Sequence, residues 1–215
     1  MRRTSAFLII SIFISASILT VPLSAYAVES STNLMIVELS DDSPNYKLIG
    51  VRWYDTAYYY INPSNRYGFS VLQVVTTITD SAETWDDETT FEVFSYVGTT
   101  TRSAGRRDRY NVVSWGTYYS SRTIAVAYIW YRGSQIIESD IRMNTRYSWS
   151  LTGEPNKMDV RNIMTHEFGH WAGLADLYSS ADYWLTMYGR AAYGETYKRD
   201  LGSGDILGLG AVYGP

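Results

Sequence analysis

Thr165-His166-Glu167-Phe168-Gly169-His170-Trp171-Ala172-Gly173-Leu174-Ala175-Asp176 has the form H-E-x-x-H followed by x-x-G-x-x-D. On a helix, residues four apart stack on one face, so the imidazoles of His166 and His170 can close on a single cation from successive turns. Glu167, one step round the cylinder, sits beside that cation without ligating it, where a carboxylate can take a proton from water. Gly173 provides the way out, because glycine adopts the left-handed conformation that ends a helix and reverses the chain. Asp176 is then the nearest oxygen ligand on the returning segment. The chain has two histidines and both fall inside this motif, which argues against an ordinary amphipathic helix with surface histidines.

Working back towards the amino terminus, Met158, Val160, Ile163, Met164, Phe168 and Trp171 form the apolar face of this helix. His166, Glu167 and His170 are expected to project from its other side. The Gly/Pro segment 151–156 connects it to a run of strands: Asn111-Val112-Val113-Ser114-Trp115-Gly116, then 123–131, the turn Arg132-Gly133-Ser134, and 135–144, which is polar on part of one face. The loop 99–109 carries Arg102, Arg106, Arg107 and Arg109 with Asp108 among them and reads as a solvated charge cluster. Earlier still, 91–97 alternates as a strand, and Ser70 begins a helix with Gln73 at the reciprocal capping-box position and an apolar stripe of Val71, Val74, Val75, Ile78, Ala82 and Trp85. The segment 51–61, with Tyr58-Tyr59-Tyr60, reads as the first strand. This order predicts an α+β domain with a twisted, mostly parallel sheet. After Asp176 comes an irregular stretch, 177–198, containing Met187, and a short terminal helix built on Ile206, Leu209 and Val212.

With 215 residues the chain suits one domain, and a net charge of −4 without a basic excess excludes nucleic acid as the expected partner. Met1-Arg2-Arg3, the apolar run 6–23 and Ala25-Tyr26-Ala27 have the charged, apolar and small-residue parts of a secretory signal, with cleavage expected after Ala27. An uncleaved membrane anchor is the alternative for this run. Residues 28–45 read as a flexible lead-in, and 46–215 as the catalytic domain, expected to be a monomer with no membrane contact once the signal is cut. The absence of cysteine leaves neither a disulfide nor a thiol that could cap a metal, and no folded pro-domain fits before the first strand.

Taken together, the long metal motif, the pair Met187-Tyr188, the strand succession 111–149 and the closing Gly204-Asp205-Ile206 with Val212-Tyr213-Gly214 resemble the metzincin clan of zinc endopeptidases, in its matrixin-like microbial branch. The resemblance covers 51–214. It implies a secreted endopeptidase that cuts polypeptides with a zinc-bound water, with Zn2+ held by His166, His170 and Asp176 and Glu167 as general base. It places Met187 in a tight turn beneath the metal, substrate along an edge strand at Ala125, Val126, Ala127 and Tyr128, and Tyr188 in the wall of the side-chain pocket. Structural Ca2+ follows by family analogy, although no compact acidic loop places it.

Two departures stand out. Animal matrixins use a histidine where this chain has Asp176, as snapalysin-like members do, and the tyrosine that ligates zinc in astacin-like members is replaced by Gly189. A gluzincin-like site with Glu195 as third ligand would leave Gly173, Asp176 and Met187 without a joint explanation. Outside the enzymes, the rival is a secreted or surface binding module that keeps a non-catalytic zinc site, its aromatic wealth of 20 Tyr and 7 Trp serving partner stacking.

Overall fold

The structure is a computed structural model, and residues 6–14 and 44–215 are described. The expected cleavage site at Ala27 and nearly all of the expected lead-in lie outside the described residues. Within the apolar leader, Ala6–Ile14 is a strand, β1. The domain proper follows as β2 (Ala57–Ile61), α1 (Val71–Asp86), β3 (Phe94–Thr99), β4 (Asn111–Gly116), β5 (Thr123–Arg132) and β6 (Gln135–Asn144). Then come the short pair β7 (Trp149–Ser150) and β8 (Met158–Asp159), helix α2 (Val160–Trp171), β9 (Arg190–Ala191) and the closing helix α3 (Ser203–Tyr213).

The sheet runs β3-β2-β4-β6-β5, continued beyond β5 by β1 and then β9. Within the first five strands the pairings β3/β2, β2/β4 and β4/β6 are parallel and only the β5/β6 hairpin is antiparallel. The fold is therefore the expected α+β arrangement with a mostly parallel sheet. Gly133 turns the hairpin at φ 62°, a value that favours glycine.

Helix α1 begins where the sequence predicts. The Gln73 amide donates to Ser70 Oγ at 3.2 Å, and Ser70 N–H donates to Gln73 Oε1 at 2.9 Å, so two orphan amides are satisfied reciprocally. Its stripe buries Val74, Ile78, Ala82 and Trp85 in the main core, and Trp85 Nε1 donates to the Thr165 carbonyl of α2 at 2.8 Å. Indole and helix are thus locked together directly behind the metal motif. On the opposite face of the sheet a smaller aromatic cluster, Tyr118, Val126, Tyr128 and Trp130, covers β5.

Several boundaries differ from expectation. Only 57–61 of the segment 51–61 is strand: Arg52 bonds the tip of the β5/β6 hairpin, donating to Ser134 O and accepting from Ile136 N, so its backbone groups are satisfied outside the main ladder. The second strand starts at Phe94 rather than residue 91, because Asp86 at the end of α1 takes the amides of Val93 and Phe94. Met158 belongs to β8, not to α2, since Asp159 is the cap: its carboxylate accepts from Asn162 N at 3.0 Å and is itself gripped by Arg199 at 2.6 Å.

The polar side of β6 is not solvated. Asp140 accepts from the amides of Gly105, Arg106 and Val112, and Glu138 accepts from Asp108 N at 2.6 Å, so both acids tie down the loop 99–109. In that loop Arg102 pairs with Asp108 at 2.9 Å and stands over the Tyr110 ring, in keeping with a surface charge cluster.

Candidate metal centre

Helix α2 carries the motif, and almost every one of its residues is buried, including His166, Glu167 and His170 at 0% exposure. Both sides of the helix are therefore buried, the apolar one and the one that carries the ligands. The ligand side is covered as well.

The helix ends as the sequence requires. Gly173 has φ 103°, and a Cβ there would lie 2.9 Å from the Val51 carbonyl oxygen, so both backbone conformation and space demand glycine. The reversal returns Asp176 to the two rings. Its Oδ1 lies 3.2 Å from His166 Nε2 and 3.5 Å from His170 Nε2. The gluzincin-like alternative fails on geometry: Glu195 is occupied by Asn162 Nδ2 at 3.0 Å and Lys198 Nζ at 2.7 Å.

The tautomers follow from the outer hydrogen bonds. His166 Nδ1 donates to the Thr186 carbonyl at 2.6 Å and His170 Nδ1 donates to the Leu174 carbonyl at 2.9 Å. With the protons on Nδ1, both Nε2 lone pairs point at Asp176 Oδ1. None of these three atoms has a hydrogen-bond partner. Three converging acceptors repel one another unless a cation stands between them, and one ligand atom from each residue lies within 4.8 Å of the others. Two imidazoles and a carboxylate are an accepted donor set for catalytic zinc. The residues fit the metal.

Charge follows the same logic. Burial alone would raise the Asp176 pKa, and positive charge where the rings converge, carried by a protonated His170 or by a cation in its stead, brings it well below the usual carboxylate range. Burial lowers the His166 pKa, whereas at His170 the pull of Asp176, Glu167 and the Leu174 carbonyl outweighs burial and raises it. Glu167 has no side-chain partner, and the amides of Ile12 in β1 and Ala127 in β5 approach its carboxylate. Burial pushes its carboxyl up to about 8, with His170 and the amides of Ile12 and Ala127 drawing it down by less.

Met187, 1% exposed, lies in the turn whose Thr186 carbonyl meets His166, and it approaches α2 so closely that a Cβ on Gly169 would fall 2.2 Å from its sulfur. Asp205 of α3 holds that turn by accepting from Thr186 N at 2.8 Å and Met187 N at 3.0 Å. Through the Thr186 carbonyl the same turn orients His166. Sequence reasoning gave Asp205 no such role, and it missed Tyr178, whose hydroxyl donates to Asp176 Oδ2 at 3.1 Å. The spacing Asp-x-Tyr was the available signal for the second; for the first there was none short of the fold.

The other expected site residues fall nearby. Ala125, Val126 and Ala127 are fully buried in β5, with Tyr128 6% exposed, and all four are paired to β1. Tyr188 is half-buried next to Met187, packed against Tyr183. Among the described residues there is no second group of three His, Cys, Asp or Glu ligands, so structural calcium is given no site.

The matrixin family model matches residues 53–214 of the chain, from just before β2 to the end of α3. No curated protein matches it. A match of that extent, ending on both sides of a cluster with the donors for zinc, leads to one conclusion: the chain belongs to the matrixin family of zinc metalloendopeptidases, which act on polypeptides.

Proposed function

We propose that this chain is a secreted endopeptidase in which His166, His170 and Asp176 hold a catalytic zinc and Glu167 is the general base. Bound zinc supplies Lewis acidity, polarising the scissile carbonyl and making water more acidic. Glu167 takes the proton of the attacking water and passes it to the amine as the peptide bond breaks. The two histidines, fixed by the carbonyls of Thr186 and Leu174, keep their Nε2 lone pairs for the metal. β5 offers backbone groups to an extended substrate, tolerant of side-chain identity, and Tyr188 borders the side-chain pocket. The leader, with its charged start and apolar run, supports export. Among the described residues no helix is long and apolar enough to cross a membrane.

The observation that carries this reading is the convergence of His166, His170 and Asp176 on one point, with the Glu167 carboxylate beside His166 on the same helix and ligating nothing. A purely structural zinc in a binding module has no use for a buried carboxylate beside it that is not a ligand. Glu167→Gln tests the role: zinc content is expected to stay near one per chain while casein cleavage falls at least 100-fold, a general-base loss of about 10²–10⁴. Cleavage within threefold of the parent, at equal zinc content, overturns it.

A further inference from the structure

β1 lies along β5, the strand that the proposed peptidase would offer to an extended substrate. It pairs antiparallel with β5, placing Ile12, Ser11, Ile10 and Ile9 opposite Ala125, Val126, Ala127 and Tyr128. Past an irregularity at Ile12/Phe13 it pairs in parallel with β9, only a few residues beyond Met187. One strand therefore spans the gap between the two backbone segments that flank the metal cluster. Its side chains alternate as a bound strand's should. Leu8 and Ile10 pack on the main core and Ile12 is buried completely, whereas Ile9 is 45% exposed. β1 also packs against α2, and with it in place both ligand rings and Glu167 have no exposed surface.

We propose that Ala6–Ile14 is a tethered occupant of the peptide-binding groove between β5 and β9. The full chain is then closed until its leader is removed. The same strand reports the groove's preference: extended, uncharged peptide with an aliphatic residue at the position held by Ile12. This rests on the peptidase reading above and adds to it a substrate class and a means of latency that needs no cysteine. Tethering makes the block effective even where the free peptide binds weakly, because the second partner is always present at high local concentration. Mature chain beginning after Ala27 would have lost the block, so export and opening become one event.

The test uses the full chain with a recognition sequence for a site-specific protease placed between residues 28 and 40. In a Glu167→Gln background without zinc, hydrogen exchange of the β5 amides facing β1 is expected to accelerate at least tenfold after the cut and removal of the leader. A lysine-flanked synthetic peptide of residues 6–14 is expected to restore protection, and the same peptide with Ile12→Asp is not. In the zinc-loaded parent, the cut is expected to raise hydrolysis of an apolar quenched peptide at least tenfold. Unchanged β5 exchange with equal hydrolysis before and after the cut overturns the proposal while leaving the peptidase intact. Accelerated exchange with no hydrolysis in either form upholds the groove occupant and removes the peptidase reading instead.

Discussion

Gly169→Ala puts the contact between α2 and the Met187 turn to a quantitative test. A Cβ at this position would sit 2.2 Å from Met187 Sδ and 2.6 Å from Trp85 Cζ2. Favourable non-bonded contacts lie at about 3.5–4.0 Å, so the sulfur would have to retreat by more than about 1 Å. A methionine can swing, but Trp85 is fully buried and pinned by its bond to Thr165 O, so the ring cannot. Overpacking of this kind costs about 1–3 kcal/mol, against which alanine's better helix propensity returns at most about 1 kcal/mol. We expect a net loss of about 1–2 kcal/mol in urea unfolding of the zinc-free chain at unchanged m-value. Zinc affinity should fall with it, since the displaced turn carries the Thr186 carbonyl that orients His166. Stability within about 0.5 kcal/mol of the parent, together with unaltered zinc affinity, would refute the argument that glycine is required there by space.

Asp205→Ala strands the buried amides of Thr186 and Met187 and the half-buried amide of Gly202, all bonded to this carboxylate, and at about 1–3 kcal/mol for each buried unmet group the variant should lose at least about 2 kcal/mol by urea titration. Tyr178→Phe removes the hydroxyl that donates to Asp176 Oδ2; because the residue is half exposed, stability should hardly change, while zinc affinity measured by competition with a chelating dye drops about tenfold. For Asp140, burial pushes the pKa up to about 7 despite three backbone amides acting the other way. A carboxyl whose folded pKa exceeds its unfolded value contributes most to stability below about pH 4 and loses that contribution as pH rises through about 7. A carbon-13 titration of the Asp140 carboxyl should therefore show a midpoint near 7, and a midpoint at or below the ordinary carboxylate value would contradict it.

The parts of the molecule that could be read from residues were those whose causes are local. The Ser70/Gln73 cap, the β5/β6 hairpin with Gly133, and the cluster of His166, His170 and Asp176 behind the Gly173 reversal each depend on neighbours within a dozen positions. Where distant groups decide, the sequence was silent or misleading. The polar face of β6 is buried because a loop some thirty residues upstream needs its acids, and residue 52 leaves the first strand because the tip of the β5/β6 hairpin takes its backbone groups. Asp205 reads as an ordinary first-turn acid until the fold brings the Met187 turn to it. The apolar run at the amino terminus reads as an export signal from its residues, and nothing in its composition foretells a register against Ala125 and Ala127.

The three side chains that could hold a metal come from one short window, residues 166 to 176, rather than from separate corners of the domain. An unfolded chain thus already carries all three candidate ligands within one short stretch, where a divalent ion can meet some of them before the strands have paired. Such a chain competes with the native state for the metal, so zinc tightens the domain by less than its affinity for the finished site would suggest.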